Sequence, residues 1–337
     1  MCQYIYFQEE RLNVLSLFDG ISCGKIALDR AGITTNRYFA SENDEKAISV
    51  SQHNFPDIIH LGDVTTIPFK KLPKIDLLIG GSPCQGFSFS GHRLNFNDPR
   101  SRLFFNYLEA LNSLSPRYFL LENVKMKKEY QDIISSFLGV FPIKINSSLV
   151  SAQSRERLYW TNIPNISAIE DKNIVINDII ENNVDASLSL DYQIGKYKQG
   201  RFLPIKENVN AEHLLIPLDK HNSKSGLICE GGLVKPYHKL WLDNGKLLQR
   251  NFNQGSRVYS EKGKSPTLNA NSGGLGGKTG LFMVGNNIRK LTVTECERLQ
   301  TVPDGYTSIV SRNQAVKMLG NGWTIDVISH ILKYIKN

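Results

Sequence analysis

No stretch of the 337-residue chain reaches the roughly 18 consecutive apolar residues that a membrane-spanning helix needs. No membrane association is therefore expected. Cysteine is scarce. Cys2, Cys23, Cys84, Cys229 and Cys296 are widely spaced, odd in number and form no C-x-x-C pair. That pattern argues against a disulfide framework or a cysteine-built zinc centre, and no metal is expected. The segment Met1 to Arg11 mixes aromatic and charged side chains and lacks the apolar core of a secretory signal, so the expected compartment is the cytoplasm. Acid is in deficit, with 32 Asp and Glu against 40 Lys and Arg. The resulting net charge of +8 is compatible with a polyanionic partner. Many basic proteins bind no nucleic acid, so charge alone decides nothing.

What the chain does have, in its first half, is an alternation of apolar runs and helical patterns. Leu12 to Phe18, Tyr38 to Ser41, Ile58 to Leu61, Ile75 to Ile79 and Tyr118 to Leu121 read as strands. Cys23 to Ala31, Glu45 to His53 and Leu103 to Leu114 read as helices. The alternation predicts an α/β fold, a doubly wound and mostly parallel sheet with helices on both faces. Ligands of such sheets bind at the carboxyl ends of the strands. The residues there are Phe18-Asp19-Gly20, Glu42, Asp63, Pro83-Cys84 and Glu122.

After about Pro164 the alternation fades. Gln193 to Lys206 carries Lys196, Lys198, Arg201 and Lys206 with no acid, interleaved with Tyr197 and Phe202. Asn271 to Gly280 reads NSGGLGGKTG, which suits neither a helix nor a strand. Helical patterns return from Thr292, and Ile325 to Ile335 has the spacing of a closing amphipathic helix. The expected organisation is 12–164 as a catalytic and cofactor-binding domain, 165–288 as a smaller irregular domain, and 289–337 as a return to the first.

Four local patterns carry chemistry. Phe18 to Gly24 joins a strand to a helix without the G-x-G-x-x-G spacing, which favours an adenosine-bearing cofactor other than a dinucleotide. Glu42 lies where such folds place an acceptor for ribose hydroxyls, and Asp63 could accept from an adenine amino group. A glycine turn with two solvated carboxylates remains the plainer alternative. Gly80 to Gly91 reads GGSPCQGFSFSG. A lone cysteine is commonly a buried small hydrophobe, but this loop's polar, flexible surroundings suit an exposed thiol. Glu122-Asn123-Val124 follows the next strand, so Glu122 could stand beside Cys84. A thiolate and a carboxylic acid are what addition to a pyrimidine ring requires. Arg155 and Arg157, in Gln153-Ser154-Arg155-Glu156-Arg157, would share one face of an extended segment. They could bind the base carbonyl and a phosphate, or simply mark a charged surface strand.

Taken in order, these segments resemble the DNA cytosine-5 methyltransferases over nearly the whole chain, from Leu12 to about Ile335. Two later motifs join them: Arg289-Lys290-Leu291-Thr292 with Glu295, Arg298-Leu299-Gln300 and Pro303-Asp304-Gly305, then Gln314 to Gly322. The resemblance implies an S-adenosylmethionine-dependent methyltransferase fold and transfer of a methyl group to carbon 5 of a cytosine flipped out of double-stranded DNA, with S-adenosylhomocysteine as product. It implies Cys84 as nucleophile, Glu122 as proton donor, and Arg155 and Arg157 at the base. The cofactor would be bound by Phe18, Asp19, Gly20, Cys23, Glu42, Asn43, Asp63, Val64, Pro83, Asn321 and Trp323. DNA contacts would come from Gln85, Ser88, Lys196, Lys198, Arg201, Arg257 and Thr267, with 165–288 as the target-recognition domain. Asp19, Ser82 and Trp323 depart from most bacterial members and are similar to the animal de novo enzymes. The expected setting is a prokaryotic or phage modification enzyme, with a restriction endonuclease as a functional partner left open. A tRNA cytosine-5 methyltransferase and an inactive DNA-binding paralogue are the competing readings. Intact Cys84, Glu122, Arg155 and Arg157 weigh against the second.

Overall fold

Leu12–Leu17 (β1) is almost wholly apolar because it runs through the middle of a sheet and is buried on both faces. The computed structural model describes residues 11–82, 99–190, 193–198, 201–204, 233–235, 242–243, 246–247, 258–270, 277–285 and 287–335. Of 99–102, and of the described residues between 190 and 258, only the backbone is described. After β1 come α1 (Cys23–Arg30), β2 (Thr35–Ser41), α2 (Glu45–Asn54), β3 (Ile59–Gly62), β4 (Leu77–Gly81), α3 (Pro99–Leu114), β5 (Tyr118–Val124), α4 (Lys128–Leu138), β6 (Ile143–Asn146) and β7 (Glu156–Thr161).

These strands form one seven-stranded sheet in the order β3-β2-β1-β4-β5-β7-β6. The five strands from β3 to β5 are parallel, and β7 runs antiparallel between β5 and β6. The order reverses between β1 and β4, the point at which doubly wound sheets open a ligand crevice. Leu15, Leu17, Leu78, Phe104, Tyr107, Leu121 and Trp160 belong to its buried core.

The α/β expectation holds, with differences at particular elements. β2 begins at Thr35 and α3 at Pro99, both earlier than apolar spacing suggested. Helix α4 and strand β6 had no counterpart in the sequence reading. α4 carries Ile134, Ser135 and Leu138 inward and ends on Gly139 in the left-handed conformation, a common helix stop. β7 reads as an ordinary strand, and only its neighbours make it antiparallel.

The rest of the chain supplies β8 (Ser189–Leu190), β9 (Gln193–Lys198), β10 (Arg201–Pro204), β11 (Leu233–Lys235), β12 (Leu242–Asp243), β13 (Lys246–Leu247), β14 (Val258–Ser260), β15 (Leu281–Val284), β16 (Asn287–Arg289), α5 (Val293–Leu299), α6 (Arg312–Asn321) and α7 (Ile325–Leu332). The short strands make sheets of four, three and two: β14-β15-β16-β8, β10-β9-β11 and β12-β13. By contacts the chain divides into two compact units. The first is Met1–Asn146, Glu156–Ile169 and Gly322–Asn337; the second is Ser147–Arg155 and Glu170–Asn321. This boundary of compactness places 289–321 with the second unit, whereas the sequence reading grouped all of 289–337 with the catalytic part. No described helix is long and apolar enough to cross a membrane.

Candidate active site

In the first unit the chain leaves β1 through a strained turn. Phe18, Gly20 and Ser22 have φ of 59°, 60° and 62°, the left-handed region. Non-glycine residues enter it at a cost and persist there where surrounding bonds over-determine them. Those bonds centre on Asp19. Its carboxylate accepts from Tyr38 Oη at 2.7 Å and from Ser22 Oγ at 2.5 Å. Ser22 Oγ also lies 2.5 Å from Ser51 Oγ, and the Asp19 amide donates to Ser41 O at the end of β2. Tyr38, Ser22 and Ser51 carried no sequence signal for this role.

Burial pushes the Asp19 carboxyl up from 3.8 to about 6, against the opposing pull of its hydrogen bonds from Ser16, Ser22 and Tyr38. Folding raises this pKa, so the folded state binds the extra proton between about pH 4 and 6, and stability falls as pH rises through that window. The stability of the wild type relative to Asp19→Asn is expected to drop by about 2 kcal/mol between pH 4 and pH 7. Denaturant titrations at the two pH values measure it; a difference that stays flat would refute the assignment.

Glu42 stands just past β2. Its Oε2 accepts the Gly20 amide at 2.9 Å, and its Oε1 accepts those of Asn43 and Asp44, each at 2.8 Å. These bonds aim the carboxylate while leaving it acceptor capacity. Asp63 follows β3 and is exposed, and its backbone bond from Thr65 holds its carboxyl below the usual range. Val64 and Cys23 are buried, Phe18 is part-buried and Asn43 is exposed. Asn321, in the second unit, is exposed.

Glu122 lies near the end of β5 opposite Gly81 of β4 and is 8% exposed. Its Oε1 lies 3.1 Å from Arg157 Nε, an ion pair not aligned as a hydrogen bond. Its Oε2 accepts from Trp323 Nε1 at 3.1 Å. Next to it, Asn123 Nδ2 donates to both the carbonyl and the hydroxyl of Ser82 at 3.3 Å. Asn123 thereby anchors the last described residue before Pro83-Cys84. Neither Asn123 nor Gly81 was singled out from sequence, since their partners come from the neighbouring strand. Cys84, Pro83, Gln85, Ser88 and Arg257 lie outside the described residues. Lys196 and Lys198 fall on β9 and Arg201 on β10, which pair antiparallel.

Arg155 belongs to the second unit and is 3% exposed. Its guanidinium donates to the carbonyls of Leu268 and Gly320, each at 3.2 Å. Gln153, fully buried, donates to Leu299 O and accepts the Leu268 amide, and Thr267 Oγ1 donates to Ser154 O. The Gln-x-Arg-x-Arg motif thus ties the second unit's main chain together through its first two members and pairs with Glu122 through its third. Among the described residues no group of His, Cys, Asp and Glu is arranged to hold a metal.

The strand order and the single antiparallel strand are those of the Rossmann-like methyltransferases, and that is the class to which the fold assigns the chain. Solved structures agree on the fold. The Dnmt2 methyltransferase of S. pombe covers 96% of this chain over 98% of its own, at 17% identity and a TM-score of 0.65. A putative DNA modification methyltransferase from an E. coli prophage does so at 23% identity and 0.61, covering 96% of this chain and 98% of its own. The family profile of C-5 cytosine-specific DNA methylases matches residues 12–337, and the chain belongs to that family. An orphan methyltransferase of Bacillus phage rho11s, M.Rho11sI, is 34% identical over 81% of this chain and 61% of its own length. The type II methyltransferase M.HhaI of Haemophilus parahaemolyticus is 28% identical over 95% of this chain and 93% of its own.

Proposed function

We propose that this chain transfers a methyl group from S-adenosylmethionine to carbon 5 of a cytosine in double-stranded DNA, through a covalent adduct with Cys84. The observation that supports it most is Glu122, with both oxygens held, directly across from the β4 end that leads into Pro83-Cys84.

The residues after β1, β2 and β3 fit the cofactor. Glu42 offers acceptor capacity for the ribose hydroxyls and Asp63 an exposed carboxylate for the adenine amino group. A Cβ built on Gly20 would meet nothing within 4 Å, so the turn faces open space. Phe18 and Trp323 are part-buried aromatic faces of the kind that attract a sulfonium. Asp19, Gly20, Cys23, Asn43, Val64 and Pro83 complete the set. When bound, the cofactor supplies an electrophilic methyl group.

The chain's own residues do the rest. A base inside the duplex is out of reach, so the target cytosine must leave the stack. The Cys84 thiolate forms a bond to carbon 6. The carbon 5–carbon 6 electron pair moves to carbon 5–carbon 4, and ring nitrogen 3 takes the proton that Glu122 delivers. Carbon 5 is then nucleophilic. After methylation, loss of the carbon 5 proton re-forms the double bond and expels Cys84, and nitrogen 3 returns its proton. Arg157 fixes Glu122, and Arg155 holds the carbonyls of Leu268 and Gly320 within the second unit.

Base choice falls to residues 165–288. Lys196, Lys198 and Arg201 there supply phosphate contacts, together with Arg257 and Thr267. The type II and orphan relatives support a modification role of the restriction–modification kind. The test is radiolabelled methyl transfer to duplex DNA and, separately, to tRNA. Incorporation into DNA with little into tRNA is expected, and the reverse would overturn the substrate. In the same assay, a hybrid carrying residues 165–288 of a relative with another target is expected to methylate that relative's site.

A further inference from the structure

Trp323 lies where the cofactor wall is expected, yet its polar atom is committed elsewhere. The indole N–H reaches across 201 residues of sequence to Glu122 Oε2. Gly81 makes room for it. A Cβ on Gly81 would lie 2.8 Å from Trp323 Nε1 and 3.0 Å from Glu122 Oε2, forcing the pair apart. A Cβ on Gly24, in α1, would come within 3.6 Å of Cζ3 on the same indole. The ring is thus seated against the β4 end and the first turn of α1, with its donor aimed at the acid.

An indole N–H can only donate. Oε2 must therefore act as an acceptor in either protonation state of Glu122. Oε1 faces Arg157 Nε at 3.1 Å without an aligned hydrogen bond. We infer that Trp323 is a positioning residue for Glu122: it holds Oε2 as the acceptor and leaves Oε1 to carry the proton delivered to ring nitrogen 3. The inference rests on the proposed role of Glu122 as proton donor. It links the cofactor wall to the acid through one side chain.

Proton delivery can be read without the methyl donor. Once Cys84 Sγ is bonded to carbon 6 and nitrogen 3 is protonated, carbon 5 can take a proton from water. Loss of the original hydrogen and expulsion of Cys84 then restore cytosine. Duplex DNA bearing 5-tritiated cytosine should release tritium into water at a rate set by Cys84 and Glu122. Trp323→Phe keeps an aromatic face, in a smaller ring, and removes the donor. It should slow release by about 10- to 100-fold, the range for a lost hydrogen bond to a charged group. Equilibrium titration should show S-adenosylmethionine affinity within about threefold of wild type, because the aromatic face is kept. In a Glu122→Gln background the same substitution should add little, since residues acting as a unit are not additive. Trp323→His, which keeps a ring donor, should recover part of the loss. If Trp323→Phe does not fold, Gly81→Ala, which intrudes between the two partners, takes its place with the same expectation. Unchanged release in Trp323→Phe, or a loss equal in both backgrounds, would overturn the inference. A wild-type protein that releases no tritium, or a Glu122→Gln variant as fast as wild type, would instead overturn the proposed function and this inference with it.

Discussion

Duplex DNA carrying 5-fluorocytosine at the target position is expected to form a denaturant-stable adduct with the wild-type protein in the presence of S-adenosylmethionine, and none with Cys84→Ala. Fluorine cannot leave carbon 5 as a cation, so the double bond cannot re-form and Cys84 cannot be expelled. On ordinary DNA the same variant should lose methyl transfer by about 10⁴-fold or more, as expected when a covalent nucleophile is removed. The supporting geometry comes from around the loop. Gly81 pairs with Glu122, and Asn123 fastens Ser82, so the chain enters Pro83-Cys84 from a fixed point beside a fixed acid. Gel electrophoresis under denaturing conditions reads the result. An adduct with Cys84→Ala, or its absence with wild type, would remove the covalent mechanism.

Loss of stability rather than chemistry is expected at Arg289. Its guanidinium donates to both oxygens of Glu295, at 2.8 and 2.6 Å, and Glu295 is fully buried. Glu295 also accepts the amides of Thr292 and Glu181, and with Thr292 it caps α5. Arg289→Ala would leave this carboxylate charged and buried with part of its partners gone, which costs about 3–5 kcal/mol. In a chain of this size that is a melting-point drop of roughly 5 °C. Arg289→Met combined with Glu295→Leu should restore much of the loss, because the pair's attraction barely exceeds its desolvation. Thermal unfolding of the three proteins decides it. A single substitution costing under about 1 kcal/mol would mean that the charge is not confined as the geometry indicates.

Several residues in the late motifs of the sequence prove to be framework. Glu297, fully buried, accepts the amides of Gly305 and Thr307 and the Thr307 hydroxyl. A Cβ on Gly320 would lie 2.6 Å from the Ala270 amide nitrogen, so α6 packs directly on a neighbouring main chain. Gln153 and Arg155 satisfy the carbonyls of Leu299, Leu268 and Gly320. Written as a string these polar residues look like candidates for a reaction. They are better described as donors and acceptors that a buried, irregular backbone requires.

The sequence by itself determined the alternation of strands and helices, the parallel sheet, the family and the chain positions of Cys84, Glu122 and the strand-end carboxylates. It could do so because strand burial and helix periodicity are local properties, written in consecutive side chains. It did not reveal α4 and β6, or the antiparallel sense of β7, because strand direction depends on which neighbour a strand pairs with. Only the tertiary structure decided what each polar group serves. Asp19 is buried beneath Tyr38 and Ser22, Arg155 donates to the carbonyls of Leu268 and Gly320, and Trp323 donates to an acid 201 residues away. Hydrogen-bond partnership is set by proximity in space and by the geometry of donor and acceptor, and neither is encoded in any window of sequence short enough to read.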